Sequence, residues 1–443
     1  MRSFILLIIA ISTVLTLTAQ SDTSRNEKVK TGWNLGALPS VLFNSDLGFQ
    51  YGALANIYNY GDGRMYPDYK YSIYTEWART TKGGGINQLF FDSKYLLPFD
   101  IRITADFSYL TQQALDFYGF NGYDALYHPE WETDSDPNYV SRMFYRVSRN
   151  LLRTDVGFQR KINGKSLLGL IGFSFMDIAS ANVDLDALNK GKDPEDLLPD
   201  VPGLFQKYKD WGLIDAPDAD GGKVSFIKLG LIYDTRDNEP NPMTGVWSEV
   251  ILAISPECLG ANQSFTKISA THRQYFTLIN EVLSLAVRGG YQGTISGKTP
   301  FYMQSYMINS FPRSTTVDGL GGSRSLRGIL RNRVVGDAIA YGNIEMRWKF
   351  WRKYALRQNF YGAFSAFVDA GRVVKKHEVN MNLVPDVERV LYFSETGEAW
   401  HPSIGFGLRL AMNQNFVVAV DYGRAIDKRD GNSGVYIGLN FLF

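Results

Sequence analysis

Apolar and polar side chains alternate along most of this chain, in segments of about ten residues joined by polar turns. The last segment shows the pattern in its apolar positions, Val435, Ile437, Leu439, Phe441 and Phe443. Successive side chains of a β-strand point to opposite faces, so a period of two predicts strands with one apolar and one polar face. The two preceding segments repeat the pattern, and the Asn-rich turn 413–415 between them is typical of a hairpin.

Sixteen strands can be placed by this criterion. The predicted strands span 32–43, 46–57, 70–81, 86–97, 100–111, 152–161, 165–176, 224–235, 245–254, 264–275, 281–292, 338–350, 360–371, 402–412, 415–425 and 434–443. The number is even, as single-chain bacterial outer-membrane barrels require. No window after the N-terminus reaches about 18 consecutive apolar residues, the length that predicts a transmembrane helix.

The chemistry of the two faces indicates where such a sheet is stable. A face of Gly, Asp, Arg and Asn cannot form a dry core, and a face of Phe, Val, Leu and Ile would aggregate in water. Both are stable if the apolar face meets lipid and the polar face lines a wet lumen. Because lipid leaves open sheet edges unpaired, the sheet must close. We therefore predict an all-β fold, a 16-stranded antiparallel transmembrane β-barrel that contacts outer-membrane lipid and lipopolysaccharide.

The length of a connection depends on whether the strand before it is odd- or even-numbered. The four long ones all follow odd-numbered strands and span 112–151, 177–223, 293–337 and 372–401. Those after even-numbered strands are mostly short, as in periplasmic turns of barrels. This parity predicts that both chain ends lie in the periplasm. Within the second long loop, residues 197–214 predict a short amphipathic helix over the outer mouth.

The start of the chain predicts export. A basic start at Met1–Arg2 precedes a mostly apolar run over 4–17 and small residues near Ala19. This order is typical of a cleaved secretory signal peptide, which we place at 1–19. A single membrane anchor is the alternative, but the run is short and lacks a basic flank. We predict a short periplasmic N-terminal segment at 20–31 and the barrel at 32–443.

Composition narrows the class of protein. The chain has 443 residues, 45% of them apolar and 21% charged, with a net charge of +1 and a mean hydropathy of −0.17. These values exclude a polytopic helical membrane protein, a mostly disordered chain and a basic nucleic-acid binder. The 14% aromatic content and the 42 Gly suit an outer-membrane barrel, and the single Cys excludes an intramolecular disulfide.

No residue pattern predicts catalysis, a metal or a cofactor. The four His residues, His128, His272, His377 and His401, are scattered without metal-ligand spacing. Residues 293–299 nearly match the phosphate-binding loop motif, but the first Gly is one residue too close to the second. The Asp-rich stretch 215–220 lacks the alternation of a calcium loop, so we interpret it as a solvated surface loop. We therefore expect no enzyme activity.

Several short motifs occur in order along the predicted barrel. They are 317–329 (VDGLGGSRSLRGI), the strand segment 343–347 (NIEMR), the strand segment 367–371 (FVDAG), and the turn residues Asp234, Arg236, Asp237, Pro242 and Gly245. The set resembles the motifs of the BamA/TamA superfamily of outer-membrane barrels, the bacterial surface antigen family. The terminal residues Leu439, Phe441 and Phe443 resemble that family's C-terminal sorting signal. The resemblance spans roughly residues 32–443.

The resemblance implies a specific arrangement inside the lumen. Alternation turns Glu345 and Asp369 toward the lumen on adjacent strands. The long loop before them is implied to insert into the lumen, where Arg327 pairs with these carboxylates, while Gly328 permits a tight loop tip. Together with Gly371 on the same inward face, these residues form the lumen lock (Arg327, Gly328, Glu345, Asp369 and Gly371).

Two features depart from the family pattern. Ile329 stands where an aromatic residue usually follows the Arg-Gly pair. The family's periplasmic polypeptide-transport-associated domains also find no room before the first predicted strand, which leads us to expect a form without them.

Three classes of function follow. The first is an accessory role in outer-membrane protein assembly or polypeptide translocation. It would use a separate periplasmic or lipoprotein partner, unfolded outer-membrane proteins as clients, and a weak seam between the first and last strands. The second is a passive pore or a lipid or solute transporter. The third is a structural or surface-interaction barrel that uses its long loops. The lumen-loop motif favours the first.

Overall fold

The computed structural model describes residues 28–44, 48–94, 96–163, 166–260, 263–310 and 318–443. The predicted signal peptide lies outside the described residues. Within these ranges one antiparallel sheet contains sixteen strands, each paired with its neighbours in sequence. The strands are β1 Trp33–Asn44, β2 Gly48–Asn59, β3 Tyr71–Thr80, β4 Gly85–Ser93, β5 Arg102–Asp116, β6 Arg146–Asn163, β7 Leu167–Ala181, β8 Gly221–Asp234, β9 Gly245–Ser255, β10 Phe265–Ile279, β11 Leu283–Gly297, β12 Ala338–Ala355, β13 Gln358–Lys375, β14 His401–Met412, β15 Phe416–Ala425 and β16 Ser433–Leu439.

Helices occur only in the connections of the described chain. The α-helices are α1 Leu185–Asn189, α2 Leu204–Asp210, α3 Phe301–Gln304 and α4 Asp386–Tyr392. Short 3-10 helices span Gly122–Asp124, Pro129–Glu132, Pro194–Asp196, Ala216–Asp218, Glu257–Leu259, Met381–Leu383 and Lys428–Asp430. Among the residues that the structure describes, no helix has both the length and the apolar character that crossing a membrane requires.

The predicted number of strands is confirmed, and so are the predicted faces of β12. On β12, the side chains of Ile344 and Met346 are 51% and 46% exposed on the outer face, whereas Glu345 is 0% exposed and faces the lumen. The main difference in length is at β6, which begins at Arg146 rather than at 152 because its pairing with β5 continues as far as Asp116 and Arg146.

Three aromatic residues predicted on the lipid face are instead buried, and this corrects the sequence-based assignment. The strand predicted over 434–443 ends at Leu439, because Asn440 takes a φ of +67° and turns the chain into the lumen. Phe441 and Phe443 are consequently only 5% and 6% exposed. Phe416, at the start of β15, is 7% exposed because its ring lies against Gly36 of β1.

Trp residues near strand ends are expected at the membrane interfaces of a barrel, but Trp247 departs from this expectation. Trp33 and Trp77 are 61% and 48% exposed, as a girdle requires, but Trp247 is only 7% exposed. It shares the inner face of β9 with Glu249, and the guanidinium of Arg273 lies 4.2 Å from its ring centroid. Cation–π packing in the lumen thus replaces the expected contact with lipid.

The two ends of the sheet meet and close the barrel. Gly36 of β1 contacts Phe416 of β15. On the periplasmic side, the Tyr58 hydroxyl donates to the Asn415 carbonyl at 2.9 Å, and the Asn415 amide donates to Tyr60 Oη at 2.8 Å. The described residues contain no hydrogen-bonded ladder between β1 and β16. We call this junction of the first and last strands the seam.

Three long outer connections pack together above the barrel. Residues from 117–145, 204–219 and 376–393 form one aromatic-rich cluster. The helix predicted within 197–214 is present as α2, whose Leu204, Phe205 and Tyr208 are buried in this cluster. These three connections form a cap over the outer mouth. The cap is held together because its apolar side chains bury one another.

Candidate functional site

The remaining long outer connection, between β11 and β12, enters the lumen in its described parts, residues 298–310 and 318–337. Its described part forms an apolar cluster against β12 and β13 that contains Leu320, Leu326, Ile329, Val334, Ile339 and Val373. Ile329 is 1% exposed in this cluster. Aliphatic packing thus holds the loop tip where the family pattern has an aromatic residue. Burial of each such side chain contributes about 1.5–3 kcal/mol, which is enough to hold a loop inside a wet lumen.

Arg327 lies at the centre of the lumen lock and binds two strands at once. Its Nη1 donates to Glu345 Oε2 at 2.7 Å, and its Nε and Nη2 donate to the two carboxylate oxygens of Asp369 at 2.9 and 3.1 Å. Its backbone N–H also donates to Asp369, at 3.0 Å. All three side chains are 0% exposed. The guanidinium also lies over the Phe367 ring, 3.4 Å from its centroid.

Further charges balance this cluster. Arg347 donates to Glu345 at 2.9 Å, and Arg409 pairs with Asp421 at 2.8 Å. Asp421 lies 3.7 Å from Arg327. Three cations therefore face three carboxylates in a buried site. Removing one partner from such a set leaves a buried charge uncompensated, which costs about 3–5 kcal/mol.

The two glycines of the lock allow close backbone contact. Gly328 has a φ of +94°, and a Cβ there would lie 2.4 Å from the Arg424 backbone nitrogen. Its N–H donates to the Tyr436 hydroxyl of β16 at 3.0 Å. At Gly371 on β13, a Cβ would lie 2.8 Å from Leu320 and 2.9 Å from Leu326 of the loop. The loop tip thus contacts β13 on one side and β15 and β16, beside the seam, on the other.

The predicted periplasmic turn residues form a separate structure between β8 and β9. Arg236 forms a bidentate ion pair with Asp234, in which Nε and Nη2 donate to the two carboxylate oxygens at 2.9 and 2.8 Å. Asp237 accepts the backbone N–H groups of Met243 and Thr244 at 3.0 and 3.2 Å. Pro242 is buried in the turn. Gly245 has a φ of +100°, and a Cβ there would lie 2.3 Å from the Thr235 carbonyl oxygen. These residues close the turn and make no contact with the lumen lock.

Sequence reasoning missed a charged cluster that this turn completes. Glu239 pairs with Arg102 at 3.0 Å and with Lys94 at 2.8 Å, and Arg102 also binds Asp92 at 2.8 Å. Burial favours a higher pKa for the Glu239 carboxyl, but the charges of Arg102 and Lys94 outweigh it and hold that pKa well below its ordinary value. Alternation places Arg102 in the lumen, but the sequence contains no signal for its partner in a distant turn.

A second missed contact holds the base of the lumen loop. Asp318 accepts two hydrogen bonds from Arg149 of β6, at 3.0 and 2.9 Å. Its side chain is 1% exposed and that of Arg149 is 7% exposed. The loop is therefore held by charge pairs at two places, one on each side of the lumen.

The Omp85 superfamily domain matches residues 99–443, which confirms the family resemblance inferred from the motifs. No curated protein matches the chain by sequence.

Among solved structures, the fold is similar to that of CdiB from Escherichia coli, with 10% identity over 96% of this chain and 69% of that one and a TM-score of 0.50. BamA from Haemophilus ducreyi lacking POTRA domains 1–3 shares 13% identity over 92% of this chain and 71% of that one, with a TM-score of 0.49. The family match covers most of the chain, including every residue of the lumen lock. The chain therefore belongs to the Omp85 superfamily, whose members are β-barrels of the Gram-negative outer membrane.

Proposed function

We propose that this barrel handles polypeptides at the outer membrane, either in the assembly of outer-membrane proteins or in their translocation, together with a separate periplasmic or lipoprotein partner. One observation carries the proposal. The lumen lock fixes the inserted loop to β13 through Arg327 and to β16 through the hydrogen bond from Gly328 to Tyr436. The loop and a strand of the seam are thus physically coupled.

The seam supplies the chemistry that an incoming strand needs. An edge strand exposes backbone N–H and C=O groups, which pair readily with another extended chain. β1 also contains Pro39, which has no N–H to donate. Such an edge forms fewer backbone hydrogen bonds with β16 than a continuous ladder would. Replacing β16 by an incoming strand therefore costs less free energy. Unfolded outer-membrane proteins are the clients that fit such an edge.

In this mechanism the barrel has a closed and an open state, and the lumen lock couples the loop to the change between them. In the closed state, the Gly328 N–H is bound to Tyr436 and the tip of the loop packs on Gly423 of β15. Movement of β16 away from β1 breaks this hydrogen bond, so opening the seam also loosens the loop tip. The ion pairs of Arg327 with Glu345 and Asp369 keep the loop in the lumen while this happens.

The proposal is tested by depletion of the protein followed by quantitative profiling of outer-membrane proteins. We expect folded levels of other barrels to fall, and to recover with the unmutated gene but only partly with Arg327→Ala. Arg331→Ala is the matched control, because the Arg331 side chain is 39% exposed and its ion pair with Asp318, at 3.0 Å, lies within the same loop rather than between the loop and the barrel wall. If no other outer-membrane protein changes in level after depletion, the proposed function is wrong.

A further inference from the structure

A cavity of about 680 Å³ occupies the periplasmic side of the lumen. Its wall includes the turn 234–240, the loop segment 307–310 and the C-terminal residues 437–443. On the opposite side it is lined by Asn56 of β2 and Tyr74 of β3. The cavity therefore lies on the inner side of the seam, where a chain entering between β1 and β16 would arrive.

Two arginines face each other in the wall of this cavity. Arg273 of β10 and Arg288 of β11 are directly opposed in the strand register, and both line the cavity. Opposed side chains on one face of a sheet have Cβ atoms about 4.5–5.5 Å apart, where like charges destabilise the pairing. Within the described part of the chain, neither guanidinium forms a salt bridge with a carboxylate. Glu249 interacts electrostatically with Arg273, and Asp369 with Arg288, but neither carboxylate forms a direct salt bridge with its arginine in the described part of the chain.

The surroundings hold these guanidinium groups without neutralising them. Arg273 lies over the Trp247 ring at 4.2 Å, and its Nε is buried without a hydrogen-bond partner among the described residues. Arg288 donates to Asn343 at 2.7 Å and to the Ser325 carbonyl of the inserted loop at 3.4 Å, and it lies 5.0 Å from the centroids of both Tyr341 and Phe443. Aromatic faces support guanidinium planes while leaving N–H groups at their edges for a ligand.

Several other charges on the cavity wall are paired with a neighbouring charge. Arg102 pairs with Asp92 and Glu239, and Arg236 pairs with Asp234. Glu249 shares the wall with Arg273 but accepts a backbone hydrogen bond from Ser310 at 3.3 Å. The opposed arginines differ from these pairs because two like charges, rather than opposite charges, are direct neighbours.

We propose that Arg273 and Arg288 form a carboxylate-binding site for acidic residues of an extended polypeptide in the lumen. The inference rests on the proposed function, since it takes the client to enter through the seam. One carboxylate placed between the two guanidinium groups accepts charge-assisted hydrogen bonds from both and removes their repulsion. A polypeptide fits better than a lipid, because the site opens into the lumen, whereas the lipid-facing surface lies on the other side of the sheet.

Peptide binding to the purified full barrel in detergent micelles tests the site. The probes are two fluorescent ten-residue peptides of alternating Thr and Asp or alternating Thr and Asn, followed by fluorescence anisotropy at low salt. We expect the Asp peptide to bind about tenfold more tightly than the Asn peptide, because only carboxylates make charge-assisted bonds. Arg273→Gln and Arg288→Gln should each weaken Asp-peptide binding by about fivefold or more and leave Asn-peptide binding unchanged.

Arg324→Gln is the matched control, because Arg324 lines the same cavity but interacts electrostatically with Glu76 and Tyr74 on another wall. It should change affinity less than about twofold if the site is local rather than a general effect of cavity charge. The unfolding temperature of the barrel, measured by its mobility in SDS gels after stepwise heating, should stay the same or rise in Arg273→Gln and Arg288→Gln. Each substitution removes like-charge repulsion. A marked fall would indicate a structural role for the pair.

Equal affinity for the two peptides, or an equal loss in Arg324→Gln, contradicts the proposal. So does arginine-dependent binding of short-chain phosphatidylglycerol without binding of the Asp peptide, which would assign the site to lipid phosphate. These outcomes are independent of the depletion experiment. Arginine-dependent peptide binding combined with unchanged outer-membrane protein levels would retain the site and refute the assembly role.

Discussion

A single buried side chain connects the inserted loop to the wall of the barrel. Arg327 donates to carboxylates on two adjacent strands and is fully buried with them. Its planar fork matches Asp369 with two parallel bonds while its third edge reaches Glu345, a geometry that the point charge of Lys cannot reproduce. The identity of this residue, and not only its charge, therefore decides how firmly the loop is held.

Arg327→Lys should lower the unfolding temperature of the barrel and Arg327→Ala should lower it further. Lys keeps a positive charge in the site, whereas Ala leaves the two carboxylates without their partner, a loss of about 3–5 kcal/mol. The measurement is mobility in SDS gels after stepwise heating. Arg331→Lys serves as the control. Equal stability of Arg327→Ala and the unmutated barrel would show that the ion pairs contribute little.

The Glu239 cluster predicts a loss of stability in acid. The folded-state pKa of Glu239 is held well below its ordinary value, so its stabilisation is fully present above the unfolded pKa of about 4.3. It is lost as pH falls below that value through the folded pKa. Glu239→Gln should flatten this part of the stability curve, measured by thermal unfolding at several pH values below about 5. An unchanged slope in the variant would assign the acid sensitivity to other carboxylates.

At the scale of elements, the loop tip and the strands beside the seam behave as one packed unit. Gly328 lies so close to β15 that its missing Cβ is a requirement of the contact, and it reaches β16 through Tyr436. The C-terminal residues after β16 turn inward, where Arg347 donates to the Phe443 backbone oxygen at 2.6 Å. Both contacts restrain the strand that forms one edge of the seam.

Gly328→Ala should displace the loop tip from β15, because its added Cβ meets backbone atoms that cannot move aside and its φ is strained for Ala. We expect faster cleavage of the loop by added protease in the folded barrel. Gly397→Ala is the control, since Gly397 has a φ of +72° but open space around it. It carries the backbone strain without the clash, so similar cleavage of the two variants would show that the contact with β15 is unimportant.

At the scale of the whole molecule, two structures obstruct the lumen. The cap covers the outer mouth and the inserted loop occupies the interior above the periplasmic cavity. This arrangement opposes the free passage of solutes through the lumen. An obstructed lumen therefore favours the proposed function over a passive pore.

Planar bilayer recordings should therefore show small and infrequent conductance for the unmutated protein. Arg327→Ala should increase the frequency of open events, because the loop then loses its ion pairs with Glu345 and Asp369 and keeps only its weaker anchors, such as the Arg149–Asp318 pair and apolar packing. Arg331→Ala should behave like the unmutated barrel. A large steady conductance in the unmutated protein would refute the obstructed lumen and favour the pore.

Alternation along the chain determined the number of strands, the face of nearly every strand side chain and the parity of the long loops. This information is local, because each strand residue is assigned a face by its neighbours in sequence. The motif residues also indicated that Arg327 would meet Glu345 and Asp369, which lie only one and two strands away along the chain.

The tertiary structure alone decided which charged groups pair across the lumen and where regular alternation ends. Glu239 reaches Arg102 from a turn 137 residues further along the chain, and no sequence period encodes such a contact. Phe441 and Phe443 have the spacing of a strand, yet they lie in the lumen because arginine side chains there offer cation–π and hydrogen-bond contacts. Local pattern sets the direction of a side chain, whereas closure of the barrel determines what it meets.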